Sequence, residues 1–140
     1  MQTYQVRIYF EDTDCGGIVY HTNYIKYCER ARSEIFFANT MQPYSGNCGF
    51  VVSGLEAKFY ASAKLGDVLE VRTEVLQMRQ TSVRLRQDIY RITQGHNTSI
   101  PSPTTQDRIF GMEVTLAFVD IIHQKITKIP DEFVTLLQGV

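Results

Sequence analysis

The sequence lacks long apolar runs and an excess of charge of either sign. No stretch approaches the roughly 20 apolar residues that a membrane-spanning helix needs. The first residues, Met-Gln-Thr-Tyr-Gln-Val-Arg, contain no apolar stretch typical of a secretory signal. A formal net charge of -1 gives no general attraction to nucleic acids or anionic membranes. We therefore expect a cytoplasmic protein with no transmembrane segment and no nucleic acid partner.

Cysteine is also scarce, and its spacing excludes two common uses. The residues are Cys15, Cys28 and Cys48, an odd count without Cys-x-x-Cys spacing, which predicts neither a disulfide framework nor a zinc site. Cys15 follows Asp14, and an acidic neighbour disfavours the thiolate that a nucleophile needs. We interpret Cys15 as a small loop residue and expect Cys28 to pack within a helix. No metal is expected.

Several catalytic signatures are missing as well. The chain contains no Gly-x-Ser-x-Gly, no Walker loop, no Rossmann glycine fingerprint and no His-Glu-x-x-His. The chemistries that depend on these motifs therefore lack support, and we expect no cofactor.

The residues that are present predict one soluble domain spanning 1–140. Hydrophobic residues make up 44% of the 140 and charged residues 21%, which is ordinary for a globular protein. Alternation of apolar and polar residues predicts strands. They fall at 4–10, 50–60, 68–78, 83–89 and 109–119, with a last short strand at 125–129.

A change of period after residue 21 predicts a helix from Thr22 to about Ala38, capped by Thr22 or Asn23. A second, short helix is predicted after Asp131, and residues 95–106 read as an exposed, mobile loop. The predicted class is α+β: an antiparallel curled sheet of about five strands around one central helix. Its edge strands would favour pairing between subunits.

Residues 9–24 carry the most chemical information. Asp12 and Asp14 follow the first strand, and a Gly16-Gly17 pair and His21 precede the helix. A carboxylate and an imidazole at the positive end of a helix suit a reaction in which negative charge grows on a carbonyl oxygen. Asp14 could attack an acyl carbon or take a proton from water. The alternative is that both aspartates only form turn hydrogen bonds and that His21 is structural.

Charged residues elsewhere have simpler interpretations. Arg84 and Arg86 share a strand face and could bind phosphate, although a solvated sheet face is the favoured interpretation. Glu29 is expected to form an ion pair with Arg30 or Arg32 on the helix.

The order of these residues is similar to that of a known family. Asp12-Thr-Asp14-x-x-Gly17-x-Val19-Tyr20-His21-x-x-Tyr24, followed by Glu29-Arg30-Ala31-Arg32, resembles the hotdog-fold acyl-CoA thioesterases. The likeness is to the 4-hydroxybenzoyl-CoA thioesterase class, and most of all to its YbgC-type branch. It implies the hotdog fold, thioester hydrolysis, coenzyme A as part of the substrate, and a homodimer or homotetramer with active sites at the subunit interface.

The resemblance also implies roles for individual residues. Asp14 becomes the nucleophile or general base, and His21 lies where the thioester carbonyl meets backbone amides. The remaining residues expected to contact substrate are Gly17, Tyr24, Val51, Phe59, Arg79, Thr81 and Ser82, the last three at the coenzyme A end.

Three functions remain open from the sequence. The first is a thioesterase acting on acyl-CoA or on acyl carrier protein. The second is a dehydratase or hydratase of acyl thioesters that uses a histidine with an acid. The third is a non-catalytic binder of acyl-CoA or acyl carrier protein, or a scaffold for partners at the cell envelope.

Overall fold

A computed structural model describes residues 1–95, 98–100, 103 and 107–140. The chain begins with strand β1 (Gln2–Arg7), a 3-10 turn (Phe10–Asp12) and helix α1 (Thr22–Phe37). The remaining elements follow in the order β2 (Tyr44–Ser45), β3 (Cys48–Phe59), β4 (Val68–Met78), β5 (Ser82–Gln94), β6 (Thr98–Ser99), β7 (Arg108–Asp120), β8 (Lys125–Ile126) and α2 (Asp131–Gln138).

All strands belong to one antiparallel sheet. Its main order is β1-β4-β5-β7-β3-β2, with β6 beside β5 and β8 beside β7. Strands β1, β3, β4, β5 and β7 have six residues or more, and the other three have two each. The predicted class, a sheet of about five substantial strands with one main helix and a short C-terminal helix, is confirmed.

The core lies between α1 and one face of the sheet. One face of α1 is buried at Tyr24, Cys28, Ala31 and Ile35, while Ala38 is exposed beyond the helix end. Alternate residues of β5 and β7 meet this face because side chains of a strand alternate between its two sides. They include Val83, Leu85, Ile89, Phe110, Met112, Val114 and Phe118. The sheet therefore holds α1, and the segment before it, in a defined position.

The region between β1 and α1 differs from the prediction. β1 ends at Arg7, and Phe10 enters the 3-10 turn with 78% of its surface exposed. The Asp12 carboxylate accepts a hydrogen bond from the Tyr9 N–H (2.8 Å), which stabilises this turn instead of a longer strand. The predicted cap is also wrong: His21 holds the cap position without a side-chain cap bond, and the Asn23 amide donates to the Asp12 carbonyl (2.9 Å).

Short pairing strands are the other differences. β2 pairs with the start of β3, and β8 is shorter than the predicted strand at 125–129. Within the predicted loop at 95–106, residues 98–99 form β6 on the end of β5. Positions 96, 97, 101, 102 and 104–106 of that predicted loop lie outside the described residues.

Candidate active site

The loop between the 3-10 turn and α1 folds back on itself as a tight reversal. Thr13 bridges Val19, the Asp14 N–H donates to the Ile18 carbonyl (2.9 Å), and the Gly17 N–H donates to the Asp14 carbonyl (3.1 Å). Gly17 has a φ of +78°, a conformation that glycine adopts without steric cost. Gly17 therefore shapes the turn that presents Asp14.

This loop is attached to both of its neighbours. The Asp12 carbonyl accepts hydrogen bonds from the Tyr20 N–H (3.0 Å) and from the Asn23 side chain in the first turn of α1. On the other side, the Val19 N–H donates to the Ala63 carbonyl (2.9 Å). The Ala63 N–H in turn donates to the Tyr24 hydroxyl (3.0 Å). The loop, the start of α1 and the β3–β4 connection thus form one hydrogen-bonded unit.

The two aspartates have different surroundings. Asp12 is partly buried, and its side chain and carbonyl oxygen are occupied by the bonds that hold the 3-10 turn and α1. Asp14 is exposed, and its Oδ1 accepts one bond, from the Gly16 N–H (2.8 Å). Its other oxygen has no partner among the described residues. The turn interpretation therefore fits Asp12, whereas Asp14 keeps an oxygen available for a ligand.

The start of α1 leaves donors unused. The His21 and Thr22 N–H groups make no hydrogen bond within the described part of the chain, as expected for the first residues of a helix. The exposed His21 ring lies 4.6 Å from the Tyr20 ring and 6.1 Å from the Phe59 ring, between centroids. The helix dipole adds positive potential at this end. The unpaired N–H groups and the positive potential at this helix end therefore favour a negatively charged oxygen of a bound ligand.

The predicted apolar contacts are of two kinds. Tyr24 is 2% exposed and its ring stacks on Phe110 at 5.5 Å, so it supports the site from behind rather than lining its surface. Phe59 is 51% exposed and lies beside His21. Burial raises the pKa of Tyr24 because an ionised phenol would lose its hydration there. The Tyr24 hydroxyl therefore stays protonated while it accepts the Ala63 N–H.

The other predicted contacts lie at the far end of the sheet. Val51 is eight residues from Phe59 along β3, which corresponds to roughly 26 Å. Ser82 and Val51 both pair with Ala117, so the turn containing Arg79, Thr81 and Ser82 is at the Val51 end. The Arg79 N–H donates to the Ser82 carbonyl (2.8 Å), which closes that turn. One chain does not bring the two sets of predicted residues together.

A groove opens beside Val51, between the second half of α1 and the start of β3. Its volume is about 470 Å³. Most of its lining is apolar, with two charged side chains, Glu29 and Arg32, on the helix side. The lining includes Ile25, Phe36, Phe50, Val51, Leu85 and Leu137. Such a groove suits an apolar group rather than a nucleotide.

The arginines of the outer sheet face are neutralised. Arg84 and Arg86 both bind Glu113 (2.6 and 3.1 Å), and Arg86 also reaches Glu74 at 3.3 Å. The hydrogen bonds from Arg84, then Arg86, hold the pKa of Glu113 below its usual value. The favoured interpretation, a solvated sheet face, fits this arrangement better than a phosphate site. Glu29 does not form the predicted ion pair: it lies beyond 4.0 Å of both Arg30 and Arg32.

Two residues that the sequence analysis named have contacts that it did not predict. Gly16 binds the Asp14 carboxylate, and a Cβ on it would lie 3.2 Å from Asp14 Oδ1. Arg32 donates to the buried Gln87 across the core (2.9 Å). The glycine pair was a signal for Gly16, but nothing local in the sequence connects residues 32 and 87.

The described residues contain neither a metal-binding cluster nor a membrane-spanning helix. Over residues 1–95, 98–100, 103 and 107–140, no group of His, Cys, Asp and Glu side chains is arranged to hold a metal ion. Within those ranges, too, neither helix has the length and apolar character to cross a membrane. All three cysteines are free, with Cys28 buried as predicted.

Comparison with known proteins gives the fold and then the family. A solved mutant of 4-hydroxybenzoyl CoA thioesterase in complex with 4-hydroxybenzoyl CoA superposes with a TM-score of 0.79 at 21% identity, covering 96% of both chains. A 1,4-dihydroxy-2-naphthoyl-CoA thioesterase from Synechocystis gives a TM-score of 0.80 at 17% identity, over 99% of this chain and 96% of that one. The curled sheet around α1 is therefore the hotdog fold.

Sequence similarity is more specific. The model of the thioesterase superfamily matches residues 16–96. The acyl-CoA thioesterase YbgC of Helicobacter pylori strain J99 is 42% identical over 134 residues, 96% of this chain and 98% of its own. The acyl-CoA thioester hydrolase YbgC of Escherichia coli O157:H7 is 35% identical over 132 residues, 92% and 90% of the two chains. The chain belongs to the thioesterase superfamily and is a thioester hydrolase, as the sequence predicted.

Proposed function

We propose that this protein hydrolyses acyl-CoA thioesters to a free acid and coenzyme A, with Asp14 as the reacting carboxylate. The observation that carries this is the Asp14 oxygen without a partner, on a loop tied to the unpaired amides at the start of α1. The names of the Helicobacter and Escherichia relatives support acyl-CoA as the substrate class. The superfamily match favours hydrolysis over the dehydratase and binder alternatives.

The chemistry follows from the charges. The substrate carbonyl oxygen would accept hydrogen bonds from the His21 and Thr22 N–H groups, which polarise the carbonyl carbon and stabilise the oxyanion. Asp14 either takes a proton from a water that attacks that carbon, or attacks the carbon itself and forms a mixed anhydride that a water then hydrolyses to the free acid. The carbon–sulfur bond breaks, and coenzyme A leaves as a thiolate that is protonated by solvent. No cofactor is needed in this scheme.

The complete site in this proposal is built from two copies of the chain. Residues 50–59 of β3 bond to β7 on one side, and within the described chain no strand covers their other side. This open edge exposes apolar side chains at Val51, Val52, Leu55 and Phe59. Antiparallel pairing of two such edges would place the Val51 end of one copy beside the Phe59 end of the other.

That arrangement brings together the two sets of predicted site residues that lie far apart in a single chain. Asp14 and His21 of one copy would act on a thioester whose acyl group enters the groove of the other. Arg79, Thr81 and Ser82 would then lie at the same end and contact coenzyme A, as the family resemblance implies. The assembly is a homodimer in this proposal, and pairing of dimers into a homotetramer is compatible with it. A cytoplasmic location, and acyl carrier protein as an alternative thiol carrier, remain part of the proposal.

The test is a thiol-release assay over short, long and aromatic acyl-CoAs. Asp14→Asn should lower kcat about 100-fold or more, because it removes the charged oxygen and keeps the shape. His21→Ala should lower kcat/KM less, since the backbone amides remain. Unaltered turnover in the Asp14→Asn protein would refute the assignment. Enoyl product from 3-hydroxyacyl-CoA without thiol release would identify a dehydratase instead.

A further inference from the structure

The groove beside β3 contains a partly buried arginine, Arg32, with no acidic partner among the described residues. Arg32 Nη1 donates to Gln87 Oε1 at 2.9 Å. Gln87 Nε2 is already committed to the Cys28 carbonyl (2.9 Å) and the Thr73 hydroxyl (3.0 Å), so its Oε1 must face the arginine. No carboxylate of the described chain lies within 4.0 Å of Arg32. The guanidinium therefore has one neutral acceptor for five N–H donors.

Burial makes this arrangement costly for a single chain. Loss of hydration lowers the pKa of Arg32 from its usual value, and the effect of burial exceeds the favourable influence of Cys28 and Glu29. A desolvated charge is stable when a carboxylate satisfies its remaining donors. The groove is thus complementary to a negative group supplied from outside the chain.

The same groove provides that negative group at a neighbouring position. Glu29 lies three residues before Arg32 on the groove side of α1, is exposed, and forms no ion pair with the described residues. A surface with an unpaired acid and an unpaired base one helical turn apart becomes self-complementary under a two-fold rotation. Each arginine can then meet the other copy's glutamate.

The position of the open edge of β3 places the two-fold axis near Glu29 and Arg32. α1 runs antiparallel to β3: His21 lies near Phe59 (6.1 Å), and Phe36 lies near Phe50 (6.3 Å), between ring centroids. The middle of the open edge, at Gly54 and Leu55, is therefore opposite the middle of α1, at Glu29. Along the helix axis, Arg32 would be offset by about 3 Å from the Glu29 of an antiparallel neighbour, so the two residues are nearly in register across the two-fold axis.

We propose that, in the two-copy assembly of the proposed function, Arg32 of each copy binds Glu29 of the partner subunit across the groove. This inference rests on the two-copy assembly of the proposed function and adds the residues that hold its centre. The two ion pairs flank the axis and form the polar boundary between the two acyl grooves. They also satisfy the donors that Gln87 leaves free.

Charge reversal tests the pairing between copies. Glu29→Arg makes the groove of both copies positive, and Arg32→Glu makes it negative. The dissociation constant of each variant's homodimer should be at least about tenfold higher than that of the unmodified protein, because like charges then meet across the two-fold axis. Mixed together, the two variants should form heterodimers above the statistical share. Sedimentation equilibrium gives the dissociation constants, and native mass spectrometry of the mixture resolves the three species.

Controls separate this from general charge or folding effects. Glu34→Arg changes an exposed acid of α1 that does not line the groove, and its dissociation constant should match the unmodified protein. Arg32→Gln keeps a donor for Gln87 and removes only the charge, so it should weaken association without loss of folded structure by circular dichroism.

Several outcomes would overturn the inference. A monomeric unmodified protein, unchanged homodimers of the reversed variants, or a purely statistical mixture would each do so. A change confined to the preference for glutaryl-CoA over pentanoyl-CoA would show that Arg32 binds a substrate carboxylate instead. Thiol release by the unmodified protein decides the proposed function separately from all of these results.

Discussion

At the scale of single residues, the environment of Asp14 depends on the glycine two positions later. Gly16 donates its N–H to Asp14 Oδ1 (2.8 Å) and leaves room for that oxygen, since a Cβ there would approach it to 3.2 Å. Its φ is not positive, so the backbone itself would accept alanine. The glycine is required by the carboxylate rather than by the turn.

We therefore predict that Gly16→Ala moves the Asp14 carboxylate by a few tenths of an ångström. Because small displacements of reacting groups are costly, kcat should fall about tenfold with KM and thermal stability nearly unchanged. Steady-state thiol release and a thermal melt measure the two effects. The same substitution at Gly139, an exposed glycine beyond α2, serves as the control. Equal kcat in both variants would remove Gly16 from the positioning of Asp14.

Cys28 gives a prediction about pH. Burial raises the pKa of its thiol to about 12, whereas the pKa of a cysteine in an unfolded chain is about 8.5. Above pH 8.5 the unfolded chain loses this proton and the folded chain keeps it, so stability is lost as pH rises. The slope for one such group is at most about 1.4 kcal/mol per pH unit.

Urea unfolding at pH 8, 9 and 10 tests this, with Cys28→Ala as the comparison. The substitution should lower stability at pH 8 and make the decline between pH 8 and 10 shallower. Exposed Cys15 should react with a thiol reagent in the folded protein under the same conditions, and Cys28 only after unfolding. Parallel pH profiles for the two proteins would contradict the prediction.

At the scale of elements, α1 is attached to the sheet by one buried polar residue. Gln87 is fully buried on β5, where it bonds to the α1 backbone at Cys28, to Thr73 of β4 and to Arg32. These bonds fix both the height and the rotation of the helix over the sheet. They therefore bear on where the amides at the start of α1 point.

Gln87→Leu should lower the free energy of unfolding by about 2–4 kcal/mol. It keeps the size of the side chain but removes the hydrogen bonds to the Cys28 carbonyl, the Thr73 hydroxyl and the Arg32 guanidinium. Gln94→Leu places the same change at an exposed position near the end of β5 and should cost little. Urea denaturation followed by circular dichroism compares the two. A loss below about 1 kcal/mol for Gln87→Leu would mean that the helix is held by apolar packing alone.

Elements whose periodic pattern lies within their own segment could be predicted from the sequence. Elements that form only because a neighbouring strand pairs with them could not. The 3.6-residue period of α1 and the alternation of β4, β5 and β7 lie within the chain segment that forms each element. β2 and β6 have two residues each and exist because a neighbouring strand pairs with them. Phe10 continues the apolar alternation of β1, yet the Asp12 carboxylate ends the strand first.

The candidate site divides in the same way. Asp14 and His21 are close in sequence, so their place at the start of α1 could be predicted from residue order. The partnership of Arg32 with Gln87 joins residues 55 positions apart and has no local pattern. The predicted strand at 50–60 already separates Val51 from Phe59 by eight residues. The sequence does not show that Ser82 lies at the Val51 end, because that depends on the pairing of both residues with Ala117 of β7.

At the scale of the whole molecule, the two faces of the sheet differ in what they can bind. On the outer face, Arg84, Arg86 and Arg72 are matched by Glu113, Glu74 and Glu70, so this face has little net field. The edge of β3 and its groove combine exposed apolar side chains with unpaired backbone and charged groups. Association through the β3 edge is therefore better supported than association through the outer face.

Substitution of Leu55 gives the most direct test of the two-copy assembly. It is 43% exposed at the middle of the open edge, so in an antiparallel pair of copies it would meet its own counterpart near the two-fold axis. Leu55→Lys should convert the dimer to a monomer, because two ammonium groups would face each other and edge lysines oppose strand pairing. The folded structure should persist, since β3 keeps its bonds to β7.

Ile121→Lys is the matched control, at a residue 63% exposed beyond the end of β7. Sedimentation should show a monomer for Leu55→Lys and an unchanged assembly for Ile121→Lys. Because each active site in the proposal uses the groove of the other copy, Leu55→Lys should also lose most of its thiol release although Asp14 and His21 are intact. A fully active monomer would show that one chain suffices, and the acyl group would then have to bind on the same copy as Asp14.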